Sequence, residues 1–125
     1  MVRWLQTYTS AVVACLVAFG TIAWAGELGE GQKIEALLAS LKDIPGAVFV
    51  RNGTDYTADH AVDHLRRKLT AAGQRVKTAE DFILCCASGS SMSGEPYRIK
   101  FPDGRIVNSA DYFRAKLNDL NEPRR

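Results

Sequence analysis

The 125-residue sequence lacks most of the residue patterns that identify known catalytic and metal-binding sites. It has three cysteines and two histidines, and no Cys-x-x-Cys or His-x-His pair that would complete a zinc or redox site. Gly-x-Ser-x-Gly and Ser-x-x-Lys are absent, which excludes two common serine-nucleophile motifs. The Gly-Lys-Ser/Thr ending of a phosphate-binding P-loop is also missing. The sequence therefore predicts no cofactor.

Charge of one sign is scarce as well, because 16 lysines and arginines stand against 14 aspartates and glutamates. A near-balanced charge excludes the clustered basic surface on which nucleic-acid binding depends, and also a polybasic membrane patch. The one short basic run, Arg66-Arg67-Lys68, is typical of a solvated helix face. We therefore expect no nucleic-acid partner.

The N-terminal segment has the features of a secretory signal peptide. Arg3 is the only charged residue before Glu27, and an almost wholly apolar run extends from Ala11 to Trp24. The run closes with Ala23-Trp24-Ala25, whose small-x-small pattern fits a signal-peptidase site. This order predicts cleavage after Ala25, a periplasmic location and no membrane contact of the mature chain.

Two alternatives remain open for the same segment. The stretch from Trp4 to Trp24 is just long enough to stay in a bilayer as an uncleaved anchor. Cys15 follows apolar and small residues that can precede a lipidated cysteine, although mostly apolar residues would then begin the mature chain. Cleavage of a signal divides the chain into a signal peptide (1–25), a short leader (26–32), one domain (33–121) and a tail (122–125).

The remaining residues predict one α+β domain, in which about four helices pack on a short antiparallel sheet built from two β-hairpins. Asn52-Gly53 and Asp103-Gly104 are typical hairpin turns, because these residue types tolerate positive φ. Apolar residues recur with helical spacing in four segments, and Thr57, Thr78 and Ser109 are expected to cap the last three helices. Each hairpin leads into a capped helix, which indicates either an internal duplication or the same turn chemistry used twice.

Several motifs of the mature chain together resemble a known family. They are Arg51-Asn52-Gly53, Tyr56, Ala61, His64-Leu65, Lys68, Thr78-Ala79, Phe82-Ile83 and the stretch from Ser88 to Tyr97, and Asp103-Gly104 and the last helix continue the match. The serine-rich loop that ends in Gly-x-Pro-Tyr is more specific than any single helix. The chain is thus similar to the domain-of-unknown-function 5329 family, the YfeK-like exported proteins. The resemblance implies a small periplasmic protein of Gram-negative bacteria and brings no known activity, substrate or cofactor.

The serine-rich loop is a candidate ligand-binding surface. Its glycines let the backbone come close to a ligand, and its hydroxyl and N–H groups can converge on an anion or a sugar. We expect the loop to adjoin the second helix, so that the two form a polar pocket. The candidate binding residues are Ser88, Ser90, Ser91, Ser93, Gly94, His64, Lys68 and Tyr97. The alternative is that the hydroxyls satisfy their own backbone in tight turns.

His64 also belongs to two weaker hypotheses. As the base for a nucleophilic Ser91 it would form the site of a small hydrolase, which requires the two side chains to lie within hydrogen-bond reach. With His60 four residues earlier it would supply half of a zinc site on one helical face, and no further ligand is evident from the spacing. We therefore expect no metal, and a role other than catalysis is the main hypothesis.

Cys85 and Cys86 are the only cysteines of the predicted mature chain, where the resemblance leads one to expect a single cysteine or an aliphatic residue. Neighbouring residues on a helix point about 100° apart, so a bond between them would strain the peptide. Cys86 continues an apolar face and is expected to be buried, whereas Cys85 lies off that face. Free thiols, a dimer linked through Cys85 and a strained redox pair remain open.

These observations favour a non-catalytic binding or accessory module that recognises an envelope protein, a peptide or a cell-envelope glycan. The serine-rich loop would supply hydrogen-bond donors, Lys68 a charge and His64 a hydrogen bond. The alternatives are a small hydrolase that uses Ser91 with His64, and a purely structural envelope protein.

Overall fold

The computed structural model describes residues 27–123 of the chain. The predicted signal peptide, its cleavage after Ala25 and the candidate lipidation site at Cys15 lie outside the described residues, as do the last two residues of the tail. Within residues 27–123, no helix has the length and apolar character needed to cross a membrane.

Helices and strands follow one another in an order that occurs twice, helix–strand–strand–helix. The elements are α1 (Glu30–Ser40), β1 (Val48–Arg51), β2 (Thr54–Tyr56), α2 (Ala58–Ala72), α3 (Ala79–Phe82), β3 (Arg98–Lys100), β4 (Ile106–Asn108) and α4 (Ser109–Asn121). Short 3-10 turns follow α1 and α2, at Leu41–Asp43 and Gly73–Arg75, and a π-helical segment, Ile83–Ala87, continues α3. The predicted fold class, four helices with a small antiparallel sheet, is confirmed.

The two hairpins join into one antiparallel sheet with the strand order β2-β1-β3-β4. At the join, Phe49 of β1 lies opposite Ile99 of β3. The outer strands place Tyr56 opposite Phe49 and Val107 opposite Ile99. Because residues opposite each other share a face of the sheet, these four side chains lie on the face that the helices cover. In the first hairpin Asn52 and Gly53 have φ of +51° and +78°, as the predicted turn requires.

The hydrophobic core lies between that face of the sheet and the helices. Phe82 of α3 and Phe113 of α4 are fully buried, and their rings meet edge to face with centroids 6.0 Å apart. The predicted stripe of the first helix is buried along its whole length, at Ile34, Leu37, Leu38 and Leu41. Burying one such aliphatic side chain contributes about 1.5–3 kcal/mol, so this stripe is a principal anchor of α1.

The helix N-termini agree with the sequence at two positions and differ at two. Thr57 Oγ1 accepts from the N–H of His60 at 3.4 Å, and Thr78 caps α3 in the same way. The prediction that Ser109 caps the last helix is wrong, because Asn108 occupies the cap position and Ser109 is a buried first residue of α4. The N–H of Ser109 is still part of the sheet and donates to the carbonyl of Tyr97 at 2.8 Å. At the other end of the chain, α1 begins inside the segment predicted as a leader (26–32).

The third helix is shorter than its sequence pattern predicted. Only Ala79–Phe82 is α-helical, and the next five residues wind more widely as a π-helix. The hydroxyl of Ser88 donates to the carbonyl of Ile83 at 2.6 Å, which satisfies an acceptor five residues back, the spacing of a π-turn. This segment buries Cys86 in the core and leaves Cys85 exposed, as predicted from the apolar face.

Candidate ligand-binding cleft

A cleft of about 430 Å³ opens between α2 and the helix-covered face of the sheet. Leu41, Phe49 and Leu65 are buried in its lining and form an apolar floor. The volume lies in the range of small-molecule sites, about 300–1,000 Å³. The cleft follows from the chain order, because β2 leads through the capping Thr57 directly into α2, which folds back over β1.

One face of α2 carries the residues that border the cleft and its polar end. Ala61, His64, Leu65 and Lys68 follow the helical spacing of i, i+3, i+4 and i+7, which places them in one row. Leu65 is buried and the other three are half-buried. The same row therefore brings apolar and ionisable side chains to the sheet side of the helix.

Arg51, at the end of β1, extends into the polar end of the cleft. It lies two residues after Phe49 on a strand, so both side chains are on the helix-covered face. Its Nη1 lies 2.8 Å from Nδ1 of His64, and its Nη2 lies 3.4 Å from the hydroxyl of Tyr56. The guanidinium carbon is 5.2 Å from the centre of the Tyr56 ring, a cation–π distance. Arg51 is therefore held by neutral groups alone.

His64 is neutral at neutral pH. Burial, followed by the nearby charges of Arg51, Lys68 and Arg67, lowers its pKa from 6.5 to about 4. The guanidinium of Arg51 has only donors, so it donates to the His64 ring, and Nδ1 is its shorter contact. Nε2 lies 3.0 Å from the hydroxyl of Tyr97 and 3.2 Å from Nη1 of Arg51.

Tyr97 connects the histidine to the lysine one turn further along α2. Lys68 Nζ donates to the hydroxyl of Tyr97 at 3.2 Å and to the carbonyl of Gly89 at 2.8 Å. The same ammonium lies 4.9 Å from the centre of the Tyr97 ring. The side chains of Arg51, His64, Tyr97 and Lys68, which we call the polar chain, thus connect β1, α2 and the segment before β3.

The polar chain carries positive charge with no acidic partner. Among residues 27–123, neither Arg51 nor Lys68 forms a salt bridge, although both are half-buried. Asp63, the acidic residue in the lining of the cleft, is exposed. A partly desolvated cation is costly unless an anion compensates it, so the cleft is suited to a negatively charged group.

The serine loop, residues 88–94, uses most of its hydroxyl groups internally. Ser90 Oγ accepts from the N–H groups of Met92 and Ser93 at 3.2 and 3.3 Å, and also from the side chain of Asn52 at 3.3 Å. The hydroxyl of Ser93 donates to Asn52 Oδ1 at 2.6 Å. The hydroxyl of Ser88 is engaged by the π-turn described above. These bonds leave Ser91 as an exposed serine of the loop without a hydrogen bond among the described residues.

The predicted site residues fall into two groups in the structure. His64, Lys68 and Tyr97 meet in the polar chain, and Lys68 adjoins the serine loop at Gly89. The hydrogen bonds of His64 go to Arg51 and Tyr97, and none of them reaches Ser91. The loop residues Ser88, Ser90, Ser91 and Gly94 border a separate, open groove of about 540 Å³. Whether either group binds a ligand stays a prediction.

Sequence reasoning missed Arg51 as a site residue and did not connect Tyr56, an aromatic residue that could stack on a sugar, with it. The signal was present in the alternation of the first hairpin, because Arg51 lies two residues after the apolar Phe49 and therefore on the same face. Tyr56 on β2 lies directly opposite Phe49, and therefore on the same face of the sheet. A charged residue on the covered face of a strand is uncommon and marks this position for attention.

The two remaining candidates are the histidine pair and the cysteines. His60 is exposed and also borders the cleft. The described part of the chain, 27–123, contains no group of three or more His, Cys, Asp and Glu residues that could hold a metal ion. Both cysteines are free thiols in the structure, and burial raises the pKa of Cys86. The dimer through Cys85 remains a prediction.

The fold and the cleft define a small α+β protein with two hairpin–helix units and one apolar, positively charged recess. Residues 29–121 match the sequence profile described as "Family of unknown function (DUF5329)". A protein of Salmonella typhimurium (strain LT2), "Uncharacterized protein YfeK", is 40% identical over 94 residues, which cover 74% of this chain and 77% of that protein. The chain belongs to the DUF5329 family, as the resemblance implied. No solved structure matches it.

Proposed function

We propose that this protein is an exported, non-catalytic binding module and that the cleft between α2 and the sheet is its ligand site. The observation that carries the proposal is the recess of about 430 Å³, whose apolar floor meets a half-buried guanidinium without an acidic partner. A purely structural protein gains nothing from such an arrangement, because filling the recess with apolar side chains would be more stabilising.

The arrangement of His64 favours binding over hydrolysis. A serine hydrolase needs its base in hydrogen-bond contact with the nucleophile. Both ring nitrogens of His64 already have partners, Arg51 and Tyr97. With a pKa of about 4, the imidazole is also a poor proton acceptor at neutral pH. The hydrolase with Ser91 therefore has no supporting observation.

Blocking the cleft tests the ligand site. Ala61 is a half-buried residue of α2 in the lining, so Ala61→Trp fills the recess. Ala71 is exposed on the same helix, and Ala71→Trp is the matched control. In a ligand-observed NMR screen of small organic anions and neutral compounds, we expect binding to wild type and to Ala71→Trp, and loss with Ala61→Trp. Compounds that bind all three proteins equally, or no binding at all, would contradict the proposal.

Export is tested on the full-length chain in a Gram-negative host. Mass spectrometry of the intact protein from the periplasmic fraction, without reduction, is expected to give a chain that begins at Gly26. A membrane-bound chain that retains its N-terminus, or a lipid-modified chain that begins at Cys15, would support one of the other two hypotheses. The same spectrum shows whether a disulfide-linked dimer through Cys85 exists.

A further inference from the structure

The hydrogen-bond donors of Arg51 indicate what kind of group the cleft takes. A guanidinium has five N–H donors in a planar fork. In the described structure Nη1 donates to His64, Nη2 makes one long contact of 3.4 Å with Tyr56, and Nε has no hydrogen-bond partner. The edge formed by Nε and Nη2 is the one that pairs with both oxygens of a carboxylate. The Nε–Nη2 edge of Arg51 is therefore available to bind both oxygens of a carboxylate.

The neighbours of Arg51 favour a singly charged ligand over a phosphate. His64 is a neutral imidazole at neutral pH, so it adds no positive charge. Lys68 directs its ammonium to Gly89 and Tyr97 rather than into the cleft. Arg67 and Arg98 also border the cleft, but both are exposed, and Arg98 lies opposite Val50 on the other face of the sheet. Arg51 is thus the half-buried guanidinium of the lining, and one desolvated guanidinium on an apolar wall matches a monoanion better than a dianion, which needs several charged donors.

The floor of the cleft gives the rest of the ligand its character. Leu41, Phe49 and Leu65 are 1, 7 and 4% exposed and surround the recess. An apolar group placed there excludes water from the guanidinium, which strengthens its ion pair with a bound anion. A ligand that combines a small apolar body with one terminal anionic group would satisfy both halves of the site.

We propose that the cleft binds small amphipathic carboxylates, with the carboxylate on Arg51 and the apolar body on Leu41, Phe49 and Leu65. This inference rests on the proposed function, since it names the ligand class of the same site. His64 and Tyr56 hold the guanidinium in place from two sides, so the cation is oriented before the ligand arrives.

The test uses four eight-carbon probes that differ only in their head group: octanoate, octanamide, octylamine and octyl sulfate. Isothermal titration at pH 7 is expected to show the tightest binding for octanoate. Octanamide should bind at least about tenfold more weakly, because it lacks the charge that pairs with Arg51. Octylamine is expected not to bind, since it brings a second positive charge to the site.

Arg51→Met removes the charge and keeps a long apolar stem, so it should reduce the octanoate affinity at least about tenfold and that for octanamide much less, since the amide loses only a hydrogen bond to a neutral oxygen. Arg75→Met is the matched control, because Arg75 is an exposed arginine outside the cleft. Thermal unfolding of each variant verifies the fold. If Arg51→Met does not fold, Arg51→Lys takes its place and should weaken octanoate binding through loss of the planar fork.

The outcomes separate the inference from the proposed function. Equal binding of octanoate and octanamide, abolished by Ala61→Trp, would overturn the carboxylate assignment while supporting the cleft as a binding site. Equal binding of octyl sulfate and octanoate would overturn it in favour of monoanions in general. Absence of binding by all four probes would overturn it too, and the screen with Ala61→Trp then decides the proposed function independently.

Discussion

The cleft and the serine loop are both polar surfaces near α2, but they differ in whether their hydrogen-bonding groups already have partners within the protein. In the loop, Ser90 and Ser93 bond to their own backbone and to Asn52. In the cleft, Arg51 keeps donors free and has no acidic partner among the described residues. The comparison teaches that a high density of hydroxyl groups is a weaker indication of a ligand site than a few donors without partners.

The largest effect on stability is expected in the serine loop, at Gly89. A Cβ at this position would lie 2.7 Å from the carbonyl oxygen of Glu95, which is backbone and already accepts from Ser90 N–H. We expect Gly89→Ala to lower the free energy of unfolding by about 1–3 kcal/mol, measured by urea denaturation.

Gly31→Ala is the control for that substitution, because no heavy atom lies within 4 Å of its added Cβ in α1. It is expected to raise the free energy of unfolding by about 0.4–1 kcal/mol, since alanine reduces the conformational entropy of the unfolded chain at a position whose backbone it can adopt without a clash. A Gly89→Ala protein as stable as wild type would show that the close approach of Gly89 to the backbone of Glu95 does not stabilise the serine loop.

Two serines of the loop allow a comparison between a hydroxyl with hydrogen-bond partners and one without. Ser90 is 9% exposed and its hydroxyl accepts three hydrogen bonds, so Ser90→Ala should cost about 1–2 kcal/mol of stability. Ser91 is exposed and has no hydrogen bond in the described structure, so Ser91→Ala should change stability by less than about 0.5 kcal/mol. Neither variant is expected to change octanoate binding. Loss of binding with Ser91→Ala would place the site in the loop instead.

The free energy of unfolding should fall in acid because of His64, which lies in the cleft. The pKa of His64 is about 4 in the folded protein and 6.5 in the reference state, because of burial and the charges of Arg51, Lys68 and Arg67. Between these values the unfolded chain binds more protons, so stability is complete above pH 6.5 and falls as the pH approaches 4. Allowing for solvent screening of a half-buried group, we expect a loss of about 1–2 kcal/mol. The hydroxyl of Tyr97, the residue before β3, faces the ring at 3.0 Å from Nε2.

His64→Gln is the control for that pH dependence and should flatten the stability profile between pH 6.5 and 4. The carboxylates with a lowered pKa act in a different window, since they lose their contribution only as the pH falls below about 4.5. They are Glu30, Glu35, Asp81 and Asp103. An unchanged slope in His64→Gln would show that the histidine does not carry the effect.

A smaller effect than at Gly89, Ser90 or His64 is expected at Asn52, which joins the first hairpin to the serine loop. Asn52→Gly keeps the positive φ of the turn and removes the bonds to Ser90 and Ser93, so it should cost about 0.5–1 kcal/mol. Asn52→Ala adds the strain of a positive φ and should cost more. Urea denaturation of both variants separates the two contributions. Equal stabilities of Asn52→Gly and Asn52→Ala would contradict the assignment of strain to this position.

The candidate site was predictable in part. His64, Lys68 and Tyr97 could be named because they are ionisable or aromatic residues at regular positions of a helix and a strand. Arg51 could not be linked to His64, because their contact depends on how α2 folds back over β1. The sequence also could not show that Asn52 occupies hydroxyl groups of the serine loop, since Asn52 lies 38 residues before Ser90.

By itself, the sequence determined the elements, the hairpin turns and two of the helix caps, because periodicity, positive φ and capping act over a few neighbouring residues. Only the tertiary structure decided that β1 pairs with β3, and that an arginine from one hairpin meets a tyrosine preceding the other across a histidine of α2. Such contacts join residues far apart in the chain. Their free energy depends on burial and on which polar groups lack a partner, and a local sequence pattern shows neither.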